Sequence, residues 1–442
     1  MRKLPLVLIS LSTLALVACG GGSGSPDARP YPDARPGIDA TGNPDAAGNV
    51  DAGTDDAAAA DASVADAMAD ASPDAMLDAA SDAMADATTS PDADVGLAPM
   101  VTSLDYTTAP RGGLLTVNGS GFLGVNDVTL GGTSQLFTVA SDNVITIDGI
   151  DAATPLGADD LIVVEGSTSS TAISVTVIDL TVTPTVVAVG SHPTIASTSF
   201  TFDSASTTVS IDGVSQTTGT VNTGDFDIAG VTGVTAGMQN LLISSGGTDI
   251  APLPIPVPEL VISEADPNTP GKDAAEFVEI ATGLPNTALS GYVLVFWNGD
   301  ATNDASYHVF DLTVTTDANG FVLLGNPAVT PTPVITFSGG GLQNGPDAIS
   351  ISQGSTSDFP NGTAISPQPT GTFLIDALAY GSSADDVLVQ ALLGTGPEAV
   401  LVNENANGAG ATESMSRCMA GRLDDRNFAV GTPTPGAANS CP

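Results

Sequence analysis

From residue 100 onward, apolar residues come in short runs set between turn formers. Runs at 114–117, 128–130, 144–147, 161–165 and 173–178 are bounded by Gly, Asn or Asp, the signature of strands joined by tight turns. Thr116 lies between Leu115 and Val117, and Thr146 between Ile145 and Ile147. That period of two belongs to a strand with one face on a core. Beyond residue 259 the runs become denser, at 260–264, 276–280, 292–297, 307–312, 321–324, 348–351 and 373–380. The pattern predicts an all-β chain built of sandwiches. Between the two regions, prolines alternate at Pro252, Pro254, Pro256 and Pro258. Proline lacks an N–H for a ladder and favours an extended chain, so 252–258 reads as a stiff spacer. One further apolar run, 4–16, stands at the start.

The first sandwich region has an echo. Val128-Thr129-Leu130-Gly131-Gly132 parallels Val209-Ser210-Ile211-Asp212-Gly213, and Ile145-Thr146-Ile147 parallels Phe226-Asp227-Ile228 at the same offset. Leu161–Val164 is echoed near Asn240–Ile243. Constant spacing predicts one fold used twice, with an unrelated β domain as the alternative.

Composition changes the picture between 20 and 99. This stretch is Asp, Ala, Pro and Gly, with Pro-Asp-Ala at 26–28, 32–34, 44–46, 73–75 and 91–93. Ala buries too little area to offset ordering entropy. Ala also favours helix, but Asp66, Asp70, Asp74, Asp78, Asp82 and Asp86 stack like charges four apart, which opposes one. The expectation is a disordered, self-repelling acidic linker. The formal net charge of the chain is −41. Such a surface repels nucleic acid, whose binding needs Lys and Arg against phosphate, so no nucleic-acid partner is expected.

Met1-Arg2-Lys3, the apolar run, and Leu16-Val17-Ala18-Cys19 have the order of an export signal. The run is shorter than the roughly 18 residues a spanning helix needs. This stretch resembles the signal of bacterial lipoproteins. The resemblance implies a cut after residue 18, lipidation of Cys19, and attachment to the membrane through acyl chains. Gly20 in place of Asp favours the outer membrane over the inner one. The expected location is therefore the cell envelope, lipid-anchored and surface-exposed. An ordinary signal peptide with a chance cysteine is the alternative.

Pro110, Gly112-Gly113, the run Thr116-Val117-Asn118-Gly119-Ser120-Gly121-Phe122, and Val128-Thr129-Leu130-Gly131-Gly132 resemble an IPT/TIG domain, an immunoglobulin-like β-sandwich. Phe122 would be its core plug. The second copy lacks Gly-Ser-Gly-Phe and has Phe200-Thr201-Phe202 roughly in its place. Further on stand Ile262-Ser263-Glu264, the run from Ala275 to Ile280, Leu289-Ser290-Gly291-Tyr292, and the run from Asp376 to Gly381. With Ser414-Met415-Ser416-Arg417 and Thr434-Pro435-Gly436, they make 260–440 similar to a bacterial lamin-tail domain. That family is immunoglobulin-like in fold and is viewed as a binding or scaffolding module. The expected layout is signal 1–18, anchored linker 19–99, IPT/TIG-like sandwich 100–178, second immunoglobulin-like domain 179–251, spacer 252–258 and lamin-tail-like sandwich 259–442. The fold class is thus tandem immunoglobulin-like β-sandwiches behind a disordered acidic linker.

Chemistry is sparse. With Cys19 assigned to lipid, Cys418 and Cys441 remain as an even pair in an oxidising compartment, a disulfide candidate with two free thiols as the alternative. Only His192 and His308 offer imidazole, in different predicted domains, and no metal, P-loop or nucleophile-elbow motif appears. Glu264, Asp266, Asp273 and Glu276 surround one turn. Hard oxygen ligands suit Ca2+, so these four are its candidates; the spacing is not that of a calcium loop, Lys272 intrudes, and a solvated turn is the competing reading. No other cofactor is expected. The leading expectation is a non-catalytic surface module for binding, adhesion or envelope scaffolding, with a surface protein or glycan as partner. Two alternatives stand beside it, an accessory carbohydrate-binding protein and an extracellular hydrolase using acidic residues.

Overall fold

The computed structural model describes residues 98–299, 304–382, 389–391, 393–395 and 402–441. The signal, Cys19 and nearly all of the linker lie outside them. The described chain is all-β. In the first region a four-stranded sheet of Met100–Leu104, Leu115–Ser120, Val144–Ile147 and Phe137–Ser141 covers one side of a core. Asp127–Leu130, Gly157–Glu165 and Ile173–Ile178 lie in the sheet opposite. Leu115, Val117, Ile145 and Ile147 are buried while Thr116 and Thr146 are not fully so, as alternation requires. Phe122 is fully buried in that core.

The second region repeats these placements. Leu130 pairs with Leu161, and Ile211 with Leu241. Ile145 and Phe226 are each completely buried. The turn after each strand has the same backbone: Gly131 and Gly132 at φ 57° and 77°, Asp212 and Gly213 at 49° and 77°. Asp is among the few residues besides glycine that tolerate the left-handed region, so the turn survives the loss of one glycine.

Residues 252–257 differ from expectation. They complete the ten-residue strand Thr248–Val257, paired antiparallel with Gly237–Ser245. The carbonyls of Pro252 and Pro256 accept from Leu114 N and Val187 N. A residue's N and C=O face the same edge of a strand, so these prolines turn their donorless nitrogens away from the Gly237–Ser245 ladder and cost it nothing. Ile250 in turn pairs parallel with Thr108. That bridge joins the two regions through one ten-stranded sheet.

The last region packs a six-stranded sheet, centred on Val261–Asp266 and Phe277–Ala281, against a four-stranded one of Ala305–Asp311, Tyr292–Asn298, Asp347–Gln353 and Phe373–Tyr380. Leu294, Phe296, Ile349 and Leu378 face the inner core. Val293, Val295, Trp297 and Ala377 face a second cluster with Phe359 and Val389. Burial on both faces explains the continuous apolar run at 292–297.

This region is fastened to the one before it. The buried Tyr292 hydroxyl donates to Val186 O and accepts from Ala188 N, each at 2.8 Å. Gln353 accepts from His192 N at 2.7 Å and donates to His192 O at 3.0 Å. The His192 ring stacks on Phe373, centroids 3.7 Å apart.

Candidate functional site

At one end of the C-terminal region, the loops after Val261–Asp266, before Asp347–Gln353 and after Phe373–Tyr380 meet the loop at 403–405. They enclose a cleft of about 440 Å³ lined by Asn268, Asn344, Tyr380, Asn403, Glu404 and Asn405 among others. Among the described residues its lining carries neither Lys nor Arg. Asparagine side chains shape the rim: Asn403 Oδ1 accepts from Asn405 N at 3.0 Å in an Asx turn, and Asn405 Oδ1 accepts from Gly410 N at 3.3 Å. The Tyr380 hydroxyl donates to Gln343 O at 2.8 Å.

Two buried carboxyls stand at this end, Glu404 in the cleft lining and Asp266 in that of a neighbouring pocket. Asp266 is 5% exposed and Glu404 7%. Burial raises the Asp266 carboxyl above its ordinary value, and the charge of Glu264 adds to this. Burial, then the charge of Asp266, raises Glu404 as well. A like charge nearby disfavours ionisation in a poorly solvated site.

The four calcium candidates do not converge. Glu264 is fully buried and accepts from the Ser414 hydroxyl and from Thr434 N and Oγ1. Asp273 accepts from Thr269 N at 2.9 Å. Glu276 accepts from Gly341 N at 3.1 Å and Asn326 Nδ2 at 3.3 Å. None of the four lines the cleft, and of those whose charges act on Glu404, Asp266 acts more strongly than Asp273. Among the described residues no group of three or more His, Cys, Asp or Glu is placed to hold a metal ion. Glu404 is the residue that sequence reading missed: it lies 138 positions from Asp266 and carries no motif.

A second polar cluster lies where the chain ends. Glu264 and Glu279 are directly opposed on neighbouring strands and both fully buried. The segment 434–439 covers them: Thr434 binds Glu264, Gly436 N donates to Glu279 at 2.6 Å, and Asn439 Nδ2 donates to Ser263 O at 3.0 Å. Burial raises the Glu279 carboxyl to about 7, against the opposing bond from Gly436. Cys418 and Cys441 form a disulfide there, with Cα atoms 5.5 Å apart.

The arginines hold this end together. Arg417 bonds the fully buried Asp376 at 2.5 Å, donates to Ile262 O at 2.7 Å, and lies 4.5 Å over the Phe428 ring. Arg426 pairs with Asp424 at the surface. Asp425 is buried and accepts from Thr395 Oγ1 and Gln390 Nε2; burial raises it to about 7. His308 is exposed on Ala305–Asp311, whereas His192 stacks on Phe373 at the junction. No helix among the described residues is long and apolar enough to cross a membrane.

No protein-family model matches the chain, and no curated protein matches it. Solved structures similar to it include the extracellular region of plexin A4, at 15% identity over 36% of this chain and 18% of that one, with a TM-score of 0.20. The SGBP-B from a complex xyloglucan utilization locus in Bacteroides uniformis is similar at 14% identity over 60% of this chain and 96% of that one, TM-score 0.19. The surface glycan-binding protein PbSGBP-B from Prevotella bryantii is similar at 10% identity over 46% and 59%, TM-score 0.17. The chain spans less than a fifth of the plexin's length. At such TM-scores these likenesses carry no argument about what this chain binds.

Proposed function

We propose that this chain is a lipid-anchored surface module that binds a hydroxyl-rich ligand, a saccharide, in the asparagine-lined cleft of its lamin-tail-like region. The anchor would be Cys19, the acidic linker the spacer, and the two IPT/TIG-like sandwiches a stalk. The observation that carries the reading is the cleft itself. Side-chain amides offer both donors and acceptors, as a sugar hydroxyl does, and four asparagines line one concave site. A binding role fits better than hydrolysis. Glycosidic hydrolysis uses two carboxyls flanking one bond, roughly 5 Å or more apart, whereas Glu404 is the one carboxyl among the described residues that line the cleft.

The test is calorimetric titration of neutral oligosaccharides into the full chain and into Asn403→Ala and Asn344→Ala variants. Saturable binding that each variant weakens about tenfold, the loss of one charge-free hydrogen-bonded contact or so, supports the reading. Binding that both variants leave intact refutes it. A second reading, adhesion or scaffolding by a rigid stalk, is favoured by the shared ten-stranded sheet and the Tyr292 fastening. It predicts a protein ligand and no saccharide binding.

A further inference from the structure

We propose that the pocket at the junction of the second and last regions binds a small zwitterion, a free α-amino acid with an aliphatic side chain. This site is separate from the asparagine-lined cleft and does not rest on the saccharide reading. The pocket measures about 370 Å³; Val189, Val234 and Ala236 line it from the second region, and Glu259, Gly421 and Arg422 from the last. Arg422 is held in place. Its guanidinium donates to Ile375 O at 2.7 Å and lies against the backbone at Gly190, where any Cβ would collide with it. Gly190 is itself fixed, at a φ of 90°, by the bond from its N–H to Val231 O at 2.7 Å. Ile375 O is the one acceptor that Arg422 reaches among the described residues, and no carboxylate among them forms an ion pair with it. The other donors of the guanidinium are left for a ligand.

The chemistry of the lining sets the class. A planar guanidinium with free donors matches a carboxylate. Glu259 is exposed on the same lining and forms no ion pair among the described residues; an ammonium is its complement. Burial pushes the Arg422 pKa down, and the charges of Asp376 and Glu259 oppose this, so Glu259 acts on the guanidinium without touching it. A ligand with carboxylate and ammonium on one carbon answers both groups, while Val189 and Val234 offer aliphatic carbon to its side chain. Charge decides against the alternatives. A chain of formal net charge −41 repels free anions, and Glu259 does so at short range. A simple amine leaves Arg422 without a partner. The zwitterion is neutral as a whole, and because its walls come from both regions, its binding ties them together.

The experiment titrates L-leucine into the full chain by calorimetry, with no saccharide present. A ligand of so few atoms binds weakly, and the expected dissociation constant is about 0.1–1 mM. Isocaproate lacks the ammonium and isoamylamine the carboxylate, and each should bind at least about threefold more weakly than leucine. Arg422→Gln should weaken leucine binding about tenfold, the loss of a hydrogen-bonded charge. Glu259→Gln should weaken it about threefold, since that carboxylate is exposed. Glu259→Gln changes a surface position, so it keeps the test open if Arg422→Gln lowers the melting temperature of the free chain. Leucine should raise the melting temperature of the parent by bridging the two regions. Three outcomes overturn the proposal. One is no saturable heat up to about 10 mM leucine, ten times the weak limit. Another is isocaproate binding as tightly as leucine, which removes the ammonium from the account. The last is leucine binding that both variants retain in full, which places the ligand elsewhere.

Discussion

Replacing Arg417 with Met tests how the C-terminal region is held. Asp376 has no exposure and Arg417 only 7%. The carboxylate accepts from Ile262 N at 2.8 Å and Leu423 N at 2.9 Å besides the guanidinium at 2.5 Å. Methionine keeps the stem's volume against Phe428 but removes the charge and the bond to Ile262 O. Breaking a buried pair from one side costs about 3–5 kcal/mol, because the other charge stays buried without compensation. The cost has a pH signature. Burial already raises the Asp376 carboxyl, and Arg417 opposes this. Without Arg417 the folded carboxyl holds its proton to still higher pH than the unfolded one. A group bound more tightly to its proton when folded gives stability at low pH that is lost as pH rises. The variant's deficit should therefore shrink as pH falls from 8 toward 5, and Asp376→Asn added to it should recover part of the loss. The assay is urea unfolding followed by Trp297, the chain's single tryptophan and fully buried in this region. A loss under about 1 kcal/mol, independent of pH, would refute the account, since only a solvated pair is worth so little.

Three other outcomes follow from the same geometry. Tyr292→Phe strands Val186 O and Ala188 N, and should cost about 1–3 kcal/mol, seen as a lower calorimetric transition and faster proteolysis between 180 and 260; unchanged values would mean the hydroxyl is not the fastening. Glu279, raised by burial to about 7 from 4.5, contributes stability that is lost as pH rises between those values, so Glu279→Gln should flatten the decline in melting temperature from pH 5 to 7.5. Opening the Cys418–Cys441 link, which closes a separation of 23 residues, should cost roughly 3 kcal/mol by the chain-entropy account and speed exchange of Thr434 N and Gly436 N; no change in either would mean that hydrogen bonds alone hold the clasp.

Strands were legible where one face is wet. The alternation around Thr116 and Thr146 and the repeat at Val209-Ser210-Ile211 each appear as paired, half-buried strands. Ser414–Arg417 and Phe428–Gly431 were not read as strands, because Ser414 and Ser416 occupy buried positions that an apolar period leaves out. The alternating prolines at 252–256 read as a spacer since composition does not say which edge of a strand faces the ladder. Long-range polar pairs were out of reach altogether. Nothing local in Asn403-Glu404-Asn405 points to Asp266, and nothing in Arg417 points to Asp376. Tyr292 looked like any aromatic at a strand start, and its role at the junction depends on a neighbour more than a hundred residues earlier.

The central claim is that the cleft between the loops at 267–268, 344–346 and 403–405 is where this chain meets its ligand. Hydrogen–deuterium exchange of the full chain with and without a bound oligosaccharide tests it most directly. The account predicts slowed exchange at those three loops, with the two stalk sandwiches unchanged. Protection confined to the stalk, or to the edge strand Ala305–Asp311, would contradict it.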